Sequence, residues 1–182
     1  MYSENAKALD QAGATLIANT ATKEGMSVHG YYTVECRDAA GNVKWSDAFK
    51  NLVVTEGKNS MLDEYFEGSS YDAAWYMGLV DGTTSPSYAA GNTLASHTGW
   101  TENTDYTGDR VAVTWNAASS GSKTSDAIAF NIDDTATIAG ALMCTVASGS
   151  SGVLYSVGNF TGGSRAVASG DTLNVTYTTT LT

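Results

Sequence analysis

The side chains that most often do chemistry near neutral pH are few in this chain of 182 residues. His29 and His97 are its only histidines, and a hydrolytic site needs a nucleophile, a base and a group that orients the base. No nucleophile elbow, phosphate-binding loop or zinc-binding His pair occurs in the sequence. His97, in Ala-Ser-His-Thr-Gly-Trp, is more typical of a hydrogen bond within its own loop. The sequence predicts no catalytic residue, and we expect the protein not to be an enzyme.

Acidic turns are the remaining candidates for a metal site. Asp133-Asp134, and Asp105 with Asp109, offer the carboxylate oxygens that calcium prefers. Acidic side chains are also common in solvated turns that bind nothing. Solvated turns are the preferred interpretation, so no metal and no cofactor is predicted.

Cysteine content and charge exclude further classes. Cys36 and Cys144 fall in apolar strand patterns, and two cysteines make neither a zinc site nor a disulfide framework. The net charge of −10 disfavours nucleic acid and anionic membranes as partners. No apolar run approaches the length of a membrane span, and no signal peptide is visible. We expect a soluble protein made in a reducing cytosol.

Alternating apolar and polar residues predict a single β domain over residues 27–182. The pattern is clearest in a strand over 28–37, in a return strand over 43–49, and in a terminal strand that runs to Thr182. Short strands separated by Gly, Asn and Asp turns are typical of a β-sandwich or jelly roll. The fold class is therefore mainly β, with one short helix and an N-terminal arm.

The helix is predicted over about 56–67, between two strands. Met61, Leu62, Tyr65 and Phe66 recur at helical spacing and form one apolar stripe.

Two features favour association through β-strands. Residues 136–146 are apolar on both faces, with Ile138, Leu142, Cys144 and Val146 assigned to one of them, as expected of a central strand or of one covered by a partner. The terminal strand runs to the last residue without a cap, and exposed strand edges need covering. Closed cyclic symmetry is the common solution, so we expect a homotrimer.

The N-terminal segment, residues 1–26, differs in character from the rest. Leu9, Leu16 and Ile17 lie on one weak helical face among small and polar residues. The segment is either a frayed terminus or an arm that orders only on a neighbouring subunit.

Residues 81–109 are loop-rich and carry His97, Trp100 and Tyr106. A loop of this length is usually a contact surface or a lid, although core packing is the default for aromatic side chains. The candidate interaction surface therefore has six members: Leu9, Leu16, Ile17, His97, Trp100 and Tyr106.

The order of segments carries a resemblance. A Leu-Val-Val-Thr-Glu-Gly-x-Asn-x-Met-Leu helix leads to Trp-Tyr-Met-Gly-Leu-Val-Asp, followed by Ala-Ser-His-Thr-Gly-Trp-Thr-Glu and Arg-Val-Ala-Val-Thr-Trp, and the chain closes with Ser-Gly-Asp-Thr-Leu-Asn-Val-Thr-Tyr-Thr. Over about residues 50–182 the chain resembles small structural proteins of tailed bacteriophages. The resemblance implies a non-enzymatic virion component built as a symmetric oligomer.

The leading expectation is a capsid decoration, or cement, protein on the exterior of the head. Its partners would be further copies of itself and the major capsid protein or other virion proteins, and it would be found in the virion after assembly in the host cytoplasm. The alternative is a tail or head fibre module whose 81–109 loop binds a host receptor. A polysaccharide-degrading enzyme comes third, because it needs a carboxylate pair across a groove.

Overall fold

The computed structural model describes residues 25–66 and 74–182. Within these ranges the chain is mainly β, with two antiparallel sheets and one short helix, which confirms the predicted fold class. The elements are β1 (Val28–Arg37), β2 (Val43–Lys50), β3 (Leu52–Val53), α1 (Thr55–Phe66), β4 (Tyr76–Asp81), β5 (Glu102–Asn103), β6 (Val111–Ala112), β7 (Ser122–Thr124), β8 (Ile128–Asn131), β9 (Ala136–Cys144), β10 (Leu154–Asn159), β11 (Arg165–Val167) and β12 (Thr172–Leu181).

The two sheets face each other across one core. In the first sheet the order is β2-β1-β12, and both β7 and β8 pair with the far edge of β12. In the second the order is β3-β10-β9-β4-β5, with β11 on β9 and β6 on β4. The longest ladder joins β1 to β12, from Val28 opposite Leu181 to Arg37 opposite Thr172. The ends of the β domain are thus paired with each other.

Alternation along β1 and β12 behaves as the sequence predicts. Tyr32, Val34 and Cys36 point into the core from β1, and Leu173, Val175 and Tyr177 do so from β12. Tyr32 also connects the sheets, because its hydroxyl lies 2.9 Å from that of Ser156 on β10. Burial of these two polar groups is acceptable because each satisfies the other.

Strand β9 departs from the predicted alternation. Its ladder with β4 pairs Val80 with Gly140 but Asp81 with Ile138, so Ala139 is an extra residue in a β-bulge. The bulge reverses which face each later side chain takes. Ile138 and Met143 therefore share the core between the sheets, whereas Leu142 lies on the outer face. Placing Ile138 and Leu142 on the same face was wrong for this reason.

The features that predicted a trimer are both accounted for within the chain. β9 runs between β4 and β10, and its outer face is covered by Leu94 and Trp100 from the preceding loop. β12 is an interior strand, flanked by β1 on one side and by β7 and β8 on the other. The homotrimer stays a prediction, but these two features no longer argue for it.

Helix α1 forms close to its predicted bounds, and its first turn lies in close contact with the sheet. Gly57 is its one buried residue, and a Cβ atom there would lie 2.6 Å from the carbonyl oxygen of Tyr155. The first turn therefore rests its backbone directly on β10. The later turns overhang, and Leu62, Tyr65 and Phe66 are 43%, 83% and 73% exposed. Met61, the first residue of the predicted stripe, is half-buried against the core, whereas the rest of the stripe is exposed.

The bulge in β9 generates a stability prediction. A Cβ atom on Gly140 would lie 1.8 Å from the backbone oxygen of Gly158, and backbone atoms of neighbouring strands cannot move apart without breaking the ladder. We expect Gly140→Ala to lower the free energy of unfolding by about 3 kcal/mol, measured by urea denaturation. Gly91→Ala is the matched control, since no atom lies within 4 Å of its added Cβ. Equal stability of the two variants would contradict the close approach.

Candidate interaction surface

Exposed apolar side chains are concentrated at one end of the sandwich. Among the described residues, seven large apolar side chains are exposed, namely Met26, Tyr31, Val43, Leu62, Tyr65, Phe66 and Leu181. All of these except Tyr31 and Val43 line a single groove of about 1070 Å³. Contiguous exposed apolar surface marks sites of interaction, whereas scattered residues do not.

We call this feature the end groove. One wall is the overhanging part of α1, and the other is formed where β1, β12 and β7 end. Its described lining residues are Met26, Ser27, Val28, His29, Lys58, Met61, Leu62, Glu64, Tyr65, Phe66, Lys123 and Leu181. The groove thus combines an apolar interior with a few charged groups.

The β1–β12 ladder fixes the position of the groove. Ser27 and Thr182 exchange two backbone hydrogen bonds, of 2.7 and 3.0 Å, just beyond the paired strands. This pairing holds Met26 at the rim, and it places Leu181 beside it. A smaller cavity of about 230 Å³ adjoins the groove and shares Val28 and His29 with it.

The charges of the end groove differ from those of the whole chain. Lys58 and Lys123 line it together with one acidic residue, Glu64, in a protein whose net charge is −10. An apolar groove with basic side chains favours an apolar segment that carries acidic groups.

The structure places the predicted loop residues inside the protein. Trp100 and Tyr106 are each 3% exposed, and they lie on opposite sides of the second sheet. His97 is half-buried and stacks on Trp100, with 3.8 Å between ring centroids. The described chain does not gather these residues into one surface, and Leu9, Leu16 and Ile17 lie outside the described residues.

Residues 82–101, here called the cover loop, bury the outer face of the second sheet. Leu94 and Trp100 pack on Leu142 and Val157. The amide oxygen of Asn92 accepts a hydrogen bond from the Trp100 indole at 3.2 Å, which satisfies the buried polar edge of that ring. Trp100 is thus part of the packing, and the expectation that the 81–109 loop is a contact surface or a lid stays a prediction.

Glu56 ties three elements together. Its carboxylate accepts the backbone N–H of Leu94 at 3.3 Å and that of Leu154 at 2.7 Å. The first turn of α1, the cover loop and the start of β10 are therefore joined by one side chain. This contact holds α1 over β10 and leaves its later turns free to form the groove wall.

The most buried acidic group has a structural role. Asp171 is 4% exposed and accepts hydrogen bonds from Lys44 at 2.5 Å and from the Ala168 backbone at 2.9 Å. The hydrogen bond to Asp171 raises the pKa of Lys44, so this amine stays protonated and is a poor nucleophile. The contact joins the β1–β2 hairpin to the start of β12.

Neither acidic turn assembles a metal site in the part of the chain described. No group of three or more His, Cys, Asp or Glu lies close enough there to hold an ion. Asp105 and Asp133 do meet, but through the backbone, with 3.2 Å between the Asp133 nitrogen and the Asp105 oxygen. The Asp105 carboxylate instead accepts a hydrogen bond from the Asn103 amide at 2.6 Å.

No helix in residues 25–66 or 74–182 has the length and apolar composition required to cross a bilayer. In the comparisons with known proteins, no family model and no curated protein matches the chain.

Sequence reasoning found the groove residues of α1 but did not assign them to an interaction surface. Leu62, Tyr65 and Phe66 were recognised as one stripe, whereas their exposure was not foreseen. The available signal was Gly57, because a glycine in the first turn of an amphipathic helix indicates close contact between backbones. Leu181 and Met26 carried no local signal, since their exposure depends on where α1 overhangs.

The cysteine environments generate a reactivity prediction. Burial raises the pKa of Cys36 to about 11, with a further contribution from Asp171, and burial also raises the pKa of Cys144. Because the thiolate is the reactive form, we expect native protein at pH 8 to react with a thiol reagent at least about a hundredfold more slowly than the same chain in denaturant. Both thiols should react once the chain is unfolded. Fast labelling of native protein would show that one of them is accessible as the thiolate.

The Glu56 contact generates a second prediction. Glu56→Ala leaves the N–H groups of Leu94 and Leu154 without this acceptor, and we expect a loss of about 1–3 kcal/mol in the free energy of unfolding. Asp63→Ala, at an exposed position of the same helix, is the control and should change stability by less than about 0.5 kcal/mol. Denaturant melts of both variants provide the measurement. Equal stability would show that water replaces the Glu56 carboxylate without cost.

Proposed function

We propose that this protein is a non-enzymatic structural component of a phage particle, a decoration protein attached to the exterior of the head shell. The observation that carries the proposal is the end groove, where most of the exposed large apolar side chains of the described residues are collected. Surface of this kind favours a protein partner. The resemblance of residues 50–182 to small phage structural proteins is the reason for placing that partner in a phage particle.

The remaining surface suits a passive shell component. Only 15% of the residues are charged, and the outward side chains of β12 are Thr and Asn, including Thr172, Asn174 and Thr176. Many copies that each make a modest contact stabilise a shell, because every bound copy adds its own interface. The end groove would face the shell, and a closed trimer formed there would satisfy the symmetry of neighbouring sites.

The fibre alternative rests on the aromatic side chains of the 81–109 loop. Trp100 and Tyr106 are used in packing, and His97 stacks on Trp100. Because these side chains are used in packing, they do not form a flat exposed surface for a receptor. No observation therefore favours this alternative over attachment by the end groove.

Copy number tests the proposal directly. Purified particles should contain on the order of hundreds of copies, because a decoration protein binds repeated sites over the whole shell. Quantitative mass spectrometry against the major capsid protein gives the ratio. A stoichiometry of about a dozen or fewer would contradict decoration and favour a tail location.

Groove variants test the attachment surface. We expect Leu62→Ser/Tyr65→Ser/Phe66→Ser to weaken binding to shells stripped of this protein by at least about tenfold, because it removes the apolar wall. The fold should survive, since all three side chains are exposed. Val43→Ser, which alters an exposed apolar side chain outside the groove, is the control. Unchanged binding of the triple variant in co-sedimentation would reject the groove as the attachment site.

A further inference from the structure

The last turns of α1 combine apolar and acidic side chains. Leu62, Tyr65 and Phe66 are exposed, and Asp63 and Glu64 lie between them in the sequence. The basic groups of the end groove favour a segment of this kind, which is apolar and carries acidic groups. A second copy of the chain therefore brings a suitable occupant with it.

Two charged groups of the groove stand six residues apart on this helix. Lys58 and Glu64 both line the groove. Helix side chains meet at separations of three or four residues, and within the described residues neither of these two is in an ion pair. When two α1 helices lie antiparallel about a two-fold axis at Met61, Lys58 of each copy comes level with Glu64 of the other. One rotation axis thus creates two ion pairs.

The net charge of the chain disfavours self-association over most of its surface. Each copy carries a net charge of −10, so two copies repel one another. The balance differs within the end groove, where Lys58 and Lys123 outnumber Glu64 among the described lining residues. Contact at this end brings two copies together where acidic groups are not in excess.

The exposed apolar area of the groove is sufficient for a specific dimer. Five large apolar side chains of the groove are between 42% and 83% exposed, namely Met26, Leu62, Tyr65, Phe66 and Leu181. At about 200 Å² for a large side chain, their exposed parts amount to about 600 Å² per copy, or about 1200 Å² for a pair. A specific interface buries at least about 1000 Å² in total. The pair clears this limit when all five side chains are covered.

We propose that the end groove is a self-association surface, whose occupant is the last turn of α1 from a second copy of this chain. Leu62, Tyr65 and Phe66 of each copy enter the groove of the other. The interface is isologous, as in most homodimers, so every contact is made twice. Met61 lies at the axis, and each Lys58 faces Glu64 of the other copy.

Pairing covers the groove in the free protein. At a shell, the capsid surface and a second copy compete for the same apolar side chains. This competition rests on the proposed function, whereas pairing in solution does not. A trimer on the shell would form from copies released from such pairs.

Sedimentation velocity of the full-length protein, without particles, tests the pairing. Between about 1 and 100 µM we expect a monomer–dimer equilibrium with a dissociation constant on the order of 10 µM, because the interface is small. Leu62→Ser/Tyr65→Ser/Phe66→Ser should be monomeric throughout, since both the occupant and one groove wall are lost. Val43→Ser is the control and should pair as the unchanged protein does. A monomer at every concentration, an assembly larger than a dimer, or a dimer that the triple variant retains would overturn the proposal.

Charge reversal tests the two-fold arrangement. Lys58→Glu alone brings acidic groups level with each other on both sides of the axis, and Glu64→Lys alone does so with basic groups. Each should raise the dissociation constant at least about tenfold. With both changes in one chain the opposite charges are restored, and the dissociation constant should return to within about threefold of its original value.

Lys50→Glu is the control for net charge, because it makes the same reversal at an exposed position outside the end groove. It should leave pairing within about threefold of the unchanged protein, as expected for a distant surface charge. Far-UV circular dichroism shows whether each variant is folded. Single reversals without effect, or a double reversal without recovery, would overturn the antiparallel pairing. No particle is present in these measurements, so the proposed attachment to a shell stands or falls on its own test.

Discussion

The second sheet is apolar on both faces, and burying both of them is the constraint on which the rest of the structure depends. Its inner face packs against the first sheet, and its outer face has no second sheet to meet. The cover loop fills that position with Leu94 and Trp100, and Glu56 secures the loop to α1 and β10. Loop, helix and sheet therefore form one unit, in which the position of α1 is set by the need to cover β9 and β10.

The end groove follows from how α1 is held. Gly57 brings the backbone of the first turn against Tyr155, and no later residue of the helix is buried. Beyond Met61, which is half-buried against the core, the last turn of the helix leaves its apolar side chains uncovered. Tyr65 and Phe66 are exposed, and the ends of β1 and β12 supply the opposite wall. The exposed apolar wall of the groove thus accompanies a close backbone contact at the first turn of α1.

The sequence patterns predicted the structural features that depend on interactions within a few residues. The faces of β1 and β12 and the bounds of α1 follow from periodicity, because alternation and helical spacing act within a few residues. Other features depend on which element lies opposite in the folded chain, and no single stretch of the sequence shows this. They are the bulge at Ala139, the role of the cover loop and the exposure of Phe66. Of the predicted interaction residues, Trp100 and Tyr106 are aromatic because a core needs their area, which composition alone does not distinguish from a binding role.

Several polar groups of the interior pair with one another. Asp171 is satisfied by Lys44 and Ala168, and Tyr32 by Ser156. Groups engaged in this way hold strands together. Apolar surface behaves differently, since water leaves it whenever a partner or the chain itself provides a match. The end groove is where the described part of the chain leaves large apolar side chains exposed to water.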